Sequence, residues 1–172
     1  MTTNELTTTN ERDDLLESLA AHRGFLLRTV QGLTDDQARH RSTVSALTLG
    51  GLIKHVARVE KGWGDFILEG PAAMEMTEDS YAEHAAGFVL GEHEMLADVV
   101  AEYEKVGQRT EDLVRTLPDL GAAQPLPKAP WFPPGAVRSA RRVFIHIVAE
   151  TAQHAGHADI LREAIDGQKT MG

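Results

Sequence analysis

The sequence predicts an all-α protein, a four-helix bundle whose helices are joined by long connections. Apolar residues recur every three or four positions in four separate stretches of about 20 residues, the spacing of one helix face. Six of the seven prolines fall between residues 118 and 134, outside those stretches. No stretch shows the alternation typical of a half-buried strand, so we expect no sheet of consequence.

The first half of the chain predicts two helices before the glycine pair at residues 50 and 51. A helix over about residues 10–31 carries one apolar face and ends at Gly32. A short helix over about 34–39 opens at Thr34, an N-cap residue followed by two acidic residues. The apolar positions of the first helix are Leu15, Leu19, Leu26 and Val30.

Three further long helices complete the predicted bundle. They are expected over about residues 48–69, 90–117 and 139–167, separated by an irregular stretch at 71–89 and an extended proline-rich loop at 118–137. Residues that begin or end helices mark these boundaries: Thr48, Gly70, Pro118, Ser139 and Gly167.

Length and charge limit the function classes. A chain of 172 residues fits one domain, expected over 10–172 after a flexible tail at 1–9. The formal net charge of −9 disfavours binding to nucleic acid or to an anionic membrane. No run of about 18 apolar residues predicts a membrane span, and the polar N-terminus lacks a signal core, so we expect a cytoplasmic protein.

The chain contains no cysteine. This excludes disulfides, thiolate metal sites and a cysteine nucleophile of its own. Any sulfur nucleophile must therefore come from a substrate or cofactor.

The last long helix carries an unusual polar sector. At about 100° per residue, His146, Glu150, His154 and His157 fall within about 80° of one another. This sector overlaps the apolar side of the helix, which a helix with only a core face and a solvated face would not show. His55 lies on the flank of the apolar face of the 48–69 helix.

These residues predict a metal site in the bundle core. A histidine from one helix and a carboxylate–histidine pair at i, i+4 on another can converge between helices. Imidazole and carboxylate are good ligands for Zn²⁺, Ni²⁺ or Fe²⁺, and three protein ligands leave an open position for chemistry. The alternative is a set of packed or solvated histidines with a surface Glu–His pair.

Two blocks of sequence resemble the DinB-like metal-binding four-helix-bundle superfamily. The first is Leu49-Gly50-Gly51-Leu52-Ile53-Lys54-His55-Val56 with Glu60-Lys61-Gly62-Trp63, and the second runs from Glu150 through Glu163 to Asp166-Gly167. The chain most resembles the actinobacterial branch of mycothiol-dependent S-transferases and the N-terminal domain of mycothiol-dependent maleylpyruvate isomerase. That isomerase has a further C-terminal domain with no counterpart in this sequence, so maleylpyruvate is not the expected substrate.

The resemblance implies a ligand set and a co-substrate. Many members of the superfamily bind a divalent ion through three histidines; here the ligands would be His55, Glu150 and His154, as in the mycothiol-linked branch. It implies Zn²⁺ first, with Ni²⁺, Fe²⁺ or Mn²⁺ as alternatives, and mycothiol as thiol co-substrate. Such a thiol would be deprotonated at the metal and attack an electrophilic carbon.

Four further residues are candidates around such a site. His157 and His146 could move the thiol proton or orient ligands, or could simply be hydrogen-bonded, half-buried histidines. Arg58 could pair with a carboxylate of the thiol or substrate, or be a solvated helix charge. Trp131, with Phe132, could cover the pocket as a lid, or pin the long loop to the bundle.

The expected function is a metal-dependent thiol S-transferase that conjugates a small thiol to electrophiles in detoxification or stress response. Two alternatives remain open: a metal-dependent hydrolase using the same site, with His157 as base for a metal-activated water, and a non-enzymatic, stress-linked metal-binding bundle. We also expect a homodimer, because bundles of this family often pair through helix faces.

Overall fold

The computed structural model describes residues 10–74 and 87–170, and it confirms the four-helix bundle. Four long helices and one short helix account for most of these residues: α1 Glu11–Arg28, α2 Asp35–Arg39, α3 Leu49–Glu69, α4 Leu96–Thr116 and α5 Ala140–Asp166. α1 packs against α4 and α5, and α3 packs against the same two helices. No helix in the described part of the chain is long and apolar enough to cross a bilayer.

Side-chain caps fix where the helices begin. The hydroxyl of Thr48 accepts a hydrogen bond from the Gly51 amide at the start of α3, and Ser139 caps α5 in the same way. Gly167 ends α5 with φ 79°, a left-handed conformation that glycine adopts without strain. The boundaries predicted for these two helices are therefore confirmed.

The predicted start of the third long helix was wrong. α4 begins at Leu96, six residues after the expected position, because Glu94 holds the preceding residues in a turn. Its carboxylate accepts hydrogen bonds at 2.7 Å from both the Gly91 amide and Lys54 Nζ. Met95 then has extended backbone, with φ −98° and ψ 140°, which a helix cannot include.

The proline-rich connection is more ordered than the sequence predicted. It contains two short antiparallel strands, β1 Ala123–Pro125 and β2 Val137–Ser139, with Gln124 opposite Arg138. Strands of three residues are too short to show an alternating pattern in the sequence. β2 leads directly into α5, so Arg138 lies just ahead of that helix.

The other irregular connection is described only in part. A 3₁₀ helix, Gly70–Met74, follows α3. Residues 87–90 lie against the start of α3. The rest of the stretch predicted as irregular, residues 75–86, lies outside the described residues, as does the predicted tail at 1–9.

A buried ion pair lies within the apolar core. Glu60 of α3 is 1% exposed and accepts a hydrogen bond of 2.8 Å from Arg23 of α1, which also binds Glu111 of α4 at 3.0 Å. The guanidinium lies against Gly107 of α4, where a Cβ atom would be 2.5 Å from Arg23 Cζ. Sequence reasoning missed this pair, although Glu60 lies beside the apolar face of its helix.

Candidate metal site

Three side chains from two helices converge between α3 and α5. His55 of α3 meets Glu150 and His154 of α5, and one ligand atom from each lies within 4.8 Å of the others. The rings of His55 and His154 are 4.9 Å apart between centroids, with their planes at 77°. His55 is 8% exposed, and the other two side chains are half-buried. The structure thus brings together the three predicted ligands.

The glycine pair of α3 positions His55. A Cβ atom on Gly51 would be 2.0 Å from the carbonyl oxygen of Phe88, so only glycine lets residues 87–90 approach the helix this closely. This approach places the Phe88 ring on the His55 imidazole, 3.8 Å away between centroids and 19° from parallel. The stack constrains the plane of the imidazole ring.

Two more histidines of α5 flank the triad. Glu150 lies between His146 and His154, with the Nε2 atom of each ring 3.7 Å from one of its carboxylate oxygens. His157 approaches the far side of His154, where the two Nδ1 atoms are 3.5 Å apart. If His154 used Nε2 as a ligand, its Nδ1–H could donate to His157, an arrangement common around metal-binding histidines.

Burial favours the neutral form of two of these histidines. Desolvation lowers the pKa of His154 below its ordinary value of 6.5, and the neighbouring His157 lowers it further. Desolvation also lowers the pKa of His146; Glu150 opposes this shift, while the positive charge of Arg138 adds to it. Neutral imidazole is the form that binds metal ions and accepts protons.

The donor set fits a divalent transition-metal ion. Two imidazoles and one carboxylate are ligands that Zn²⁺ and its neighbours share. Ligand atoms about 2.0–2.2 Å from a common ion lie up to roughly 4.4 Å apart, so a small side-chain rotation would complete the site. The 3.7 Å between Glu150 Oε2 and His154 Nε2 already falls within that limit.

Comparison with known families identifies the chain. Residues 14–167 match the family described as mycothiol S-transferase. The chain belongs to the mycothiol S-transferase family. The family match covers every helix of the bundle except the first turn of α1. It also includes all three residues of the candidate site. No curated protein matches the sequence significantly.

Solved structures show the same fold at low sequence identity. YfiT from Bacillus subtilis, described as a probable metal-dependent hydrolase with an unusual four-helix bundle topology, is 15% identical with a TM-score of 0.64, over 94% of this chain and 91% of that one. A conserved protein from Enterococcus faecalis is 16% identical with a TM-score of 0.62, over 94% and 100% of the two chains. These likenesses support the fold assignment of this mycothiol S-transferase family member.

The structure shows the surroundings of two other predicted site residues of this family member, Arg58 and Trp131. Arg58 is exposed and lines a groove of about 420 Å³ between α3 and α4. Trp131 is 63% exposed, and its ring packs edge-on against Phe132 at 6.1 Å between centroids. Of the four residues predicted to assist the site, His146 lies 3.7 Å from Glu150 and His157 lies 3.5 Å from His154; a role for Arg58 or Trp131 stays a prediction.

Three residues beside the site were not predicted as functional. Phe88 lies in a loop, and nothing in the sequence pairs it with His55, although the glycine pair at 50 and 51 signals a close approach. Trp63 lies in the first of the two sequence blocks that resemble the superfamily, and its ring packs edge-on against His146 at 4.9 Å between centroids. Arg138, whose guanidinium lies 4.6 Å from the Trp63 ring centroid, sits in a strand too short to detect.

Proposed function

We propose that this protein is a metal-dependent thiol S-transferase that uses mycothiol, with His55, Glu150 and His154 as the ligands of a divalent ion. The convergence of these three side chains carries the proposal. Membership of the mycothiol S-transferase family supports the choice of thiol. The absence of cysteine agrees with a sulfur nucleophile supplied by a co-substrate.

When bound, a divalent ion would lower the pKa of a coordinated thiol, which is about 8.5 for a free alkyl thiol, and so favour the thiolate at neutral pH. The protein's own residues orient the site and handle the proton. Phe88 and His157 hold the two ligating imidazoles in place. His146 stays neutral through burial and presents Nε2 beside Glu150, so it can accept the thiol proton.

The sulfur then forms a bond to an electrophilic carbon. With a conjugated alkene, the displaced π pair becomes a C–H bond at the neighbouring carbon. Protonated His146 can supply the proton for that bond. With a halide, the halide ion departs with the bonding electron pair and His146 passes its proton to solvent. With an epoxide, the ring opens and the oxygen, still attached, takes the proton back from His146.

The competing function is a metal-dependent hydrolase that uses the same residues. The description of YfiT as a probable metal-dependent hydrolase motivates it, since the two folds match. In that case His157 or His146 would take a proton from water instead of from a thiol.

Metal analysis tests the ligand set. Protein purified without a His tag or chelator should hold one divalent ion per chain, and His154→Ala should hold none, since two ligands bind the ion poorly. His40→Ala is the matched control, because His40 is exposed at the C-terminal end of α2. If His154→Ala keeps one equivalent while His157→Ala loses it, the ligand assignment is wrong.

A turnover assay tests the reaction. Metal-loaded protein with mycothiol should conjugate members of a panel of alkenes, halides and epoxides, whereas metal-free protein or the Glu150→Ala variant should not. Glutathione in place of mycothiol tests the choice of thiol, and ester and amide substrates test the hydrolase. Equal rates with and without metal for every electrophile would refute the transferase, and metal-dependent hydrolysis alone would favour the competing function.

A further inference from the structure

A guanidinium without an acceptor lies at one end of the helix face that carries the candidate metal site. Arg138 of β2 rests against two aromatic rings, 4.6 Å from the Trp63 centroid and 5.4 Å from the Phe132 centroid. Within residues 10–74 and 87–170 its side chain makes no hydrogen bond or ion pair, and its Nη1 atom is buried without a partner. Burying an unsatisfied donor of a charged group is costly, so this position calls for an acceptor.

The guanidinium and the ligand triad share the face between α3 and α5. Trp63 links them, because its ring contacts both Arg138 and His146. Trp63 follows His55 by eight residues, so the two side chains leave α3 about 12 Å apart. On α5, His146 precedes His154 by the same number of residues, and the two helices run antiparallel. Arg138 therefore lies at the opposite end of this face from His55.

Local charge distinguishes this end of the site. The chain has a net charge of −9, yet Arg138 and Arg142 both lie here. Arg142 is one helical turn before His146 and is exposed. An anionic group at this end would face two cations, one of them without any other acceptor.

We propose that Arg138 binds a carboxylate of the electrophilic substrate, whose reacting carbon then lies at the ligand triad. This inference rests on the proposed transferase function and names its substrate class: small electrophiles that carry a carboxylate. Aromatic rings cover part of the guanidinium surface and Nη1 is buried, so the edge that lacks Nη1 supplies the donors for a ligand. A planar carboxylate can accept two parallel hydrogen bonds from that edge.

Binding of an unreactive acid tests the proposal without turnover. The probes are monomethyl succinate, which has one carboxylate, and dimethyl succinate, which has none; binding to metal-loaded protein is measured by titration calorimetry. Arg138→Gln should raise the Kd of the acid by about tenfold or more, the usual effect of losing a hydrogen bond between charged groups. The Kd of Arg138→Lys should lie between those of wild type and Arg138→Gln, since lysine keeps the charge but not the paired donors.

The control variant removes an arginine elsewhere. Arg28 is exposed at the end of α1, so Arg28→Gln lowers the net charge by the same amount and should leave the Kd unchanged. Far-ultraviolet circular dichroism and a metal content of one equivalent establish that Arg138→Gln is folded. If Arg138→Gln does not fold, Arg138→Lys is compared with wild type instead, and its Kd for the acid should be several-fold higher. Equal affinity for the acid in wild type and the folded variant would overturn the proposal.

Kinetics separate this proposal from the transferase function. With mycothiol, kcat/KM for monomethyl fumarate should fall about tenfold or more in Arg138→Gln, while that for dimethyl fumarate should not change. If neither fumarate ester is turned over but the binding difference for the succinate acid persists, the transferase function fails and the carboxylate subsite stands. If both esters are turned over with the same dependence on Arg138, the subsite fails and the transferase function stands.

Discussion

Adding one methyl group at Gly51 should disturb the candidate metal site without touching a ligand. The new Cβ atom would lie 2.0 Å from the carbonyl oxygen of Phe88 and 2.7 Å from its carbonyl carbon. An ordinary contact needs about 3.4 Å, so residues 87–90 must move away from α3 by more than an ångström. The Phe88 ring would then leave its stack on His55, and the imidazole would lose its orientation.

The expected magnitude follows from two opposing effects. Alanine stabilises a helix interior over glycine by about 1 kcal/mol, whereas overpacking against backbone costs about 3 kcal/mol. Gly51→Ala should therefore lower the free energy of unfolding by about 2 kcal/mol. Gly62→Ala is the matched control, because a Cβ atom there meets nothing within 4 Å and should stabilise the protein by up to about 1 kcal/mol.

Urea denaturation of the metal-free variants measures these changes, and metal titration measures the effect on the site. Gly51→Ala should bind the ion more weakly than wild type, and Gly62→Ala should bind it equally well. If both variants are stabilised by the same amount, residues 87–90 do not press on α3 as described, and the account of how His55 is positioned is wrong.

Three further predictions concern the buried charges and the assembly. Arg23→Met should lower the free energy of unfolding by about 3–5 kcal/mol in urea denaturation, because it leaves Glu60 buried without its cation, whereas the exposed Arg115→Met should change it by less than about 1 kcal/mol. Folding lowers the pKa of His154, so as the pH falls the unfolded chain binds a proton at this histidine before the folded chain does. The stability contributed by the neutral ring is therefore complete above about pH 6.5 and is lost as the pH falls towards the lowered pKa. Between pH 7.5 and 5.5 the free energy of unfolding of the metal-free protein should fall less for His154→Gln than for wild type. Equal decreases would contradict the lowered pKa of His154. Sedimentation at micromolar concentration should show a homodimer, and a single species of 18.8 kDa would contradict it.

Helix faces and helix ends could be predicted from the sequence because both depend on neighbours a few residues apart. The period of apolar residues and the caps at Thr48 and Ser139 determine α3 and α5, and these helices carry the triad. The start of α4 could not be predicted, because it depends on Glu94 binding Lys54 from another helix. The same reason applies to the stack of Phe88 on His55, a contact between residues 33 positions apart.

Two buried arginines explain why the ligand-bearing helices meet in this register. Arg23 connects α1 to α3 through Glu60, and Arg162 connects α5 to the turn after α1 by donating to the carbonyl oxygens of Thr29 and Gln31 at 3.0 and 2.8 Å. Sliding α3 by one turn, about 5.4 Å, would leave the Glu60 carboxylate buried without Arg23, and sliding α5 would break the bonds from Arg162 to Thr29 and Gln31. α3 and α5 are thus each held against α1, which places His55 opposite His154 before any ion is bound. Buried charge adds little to stability when it replaces well-packed apolar residues, so its contribution in this bundle is to specify one alignment of the helices.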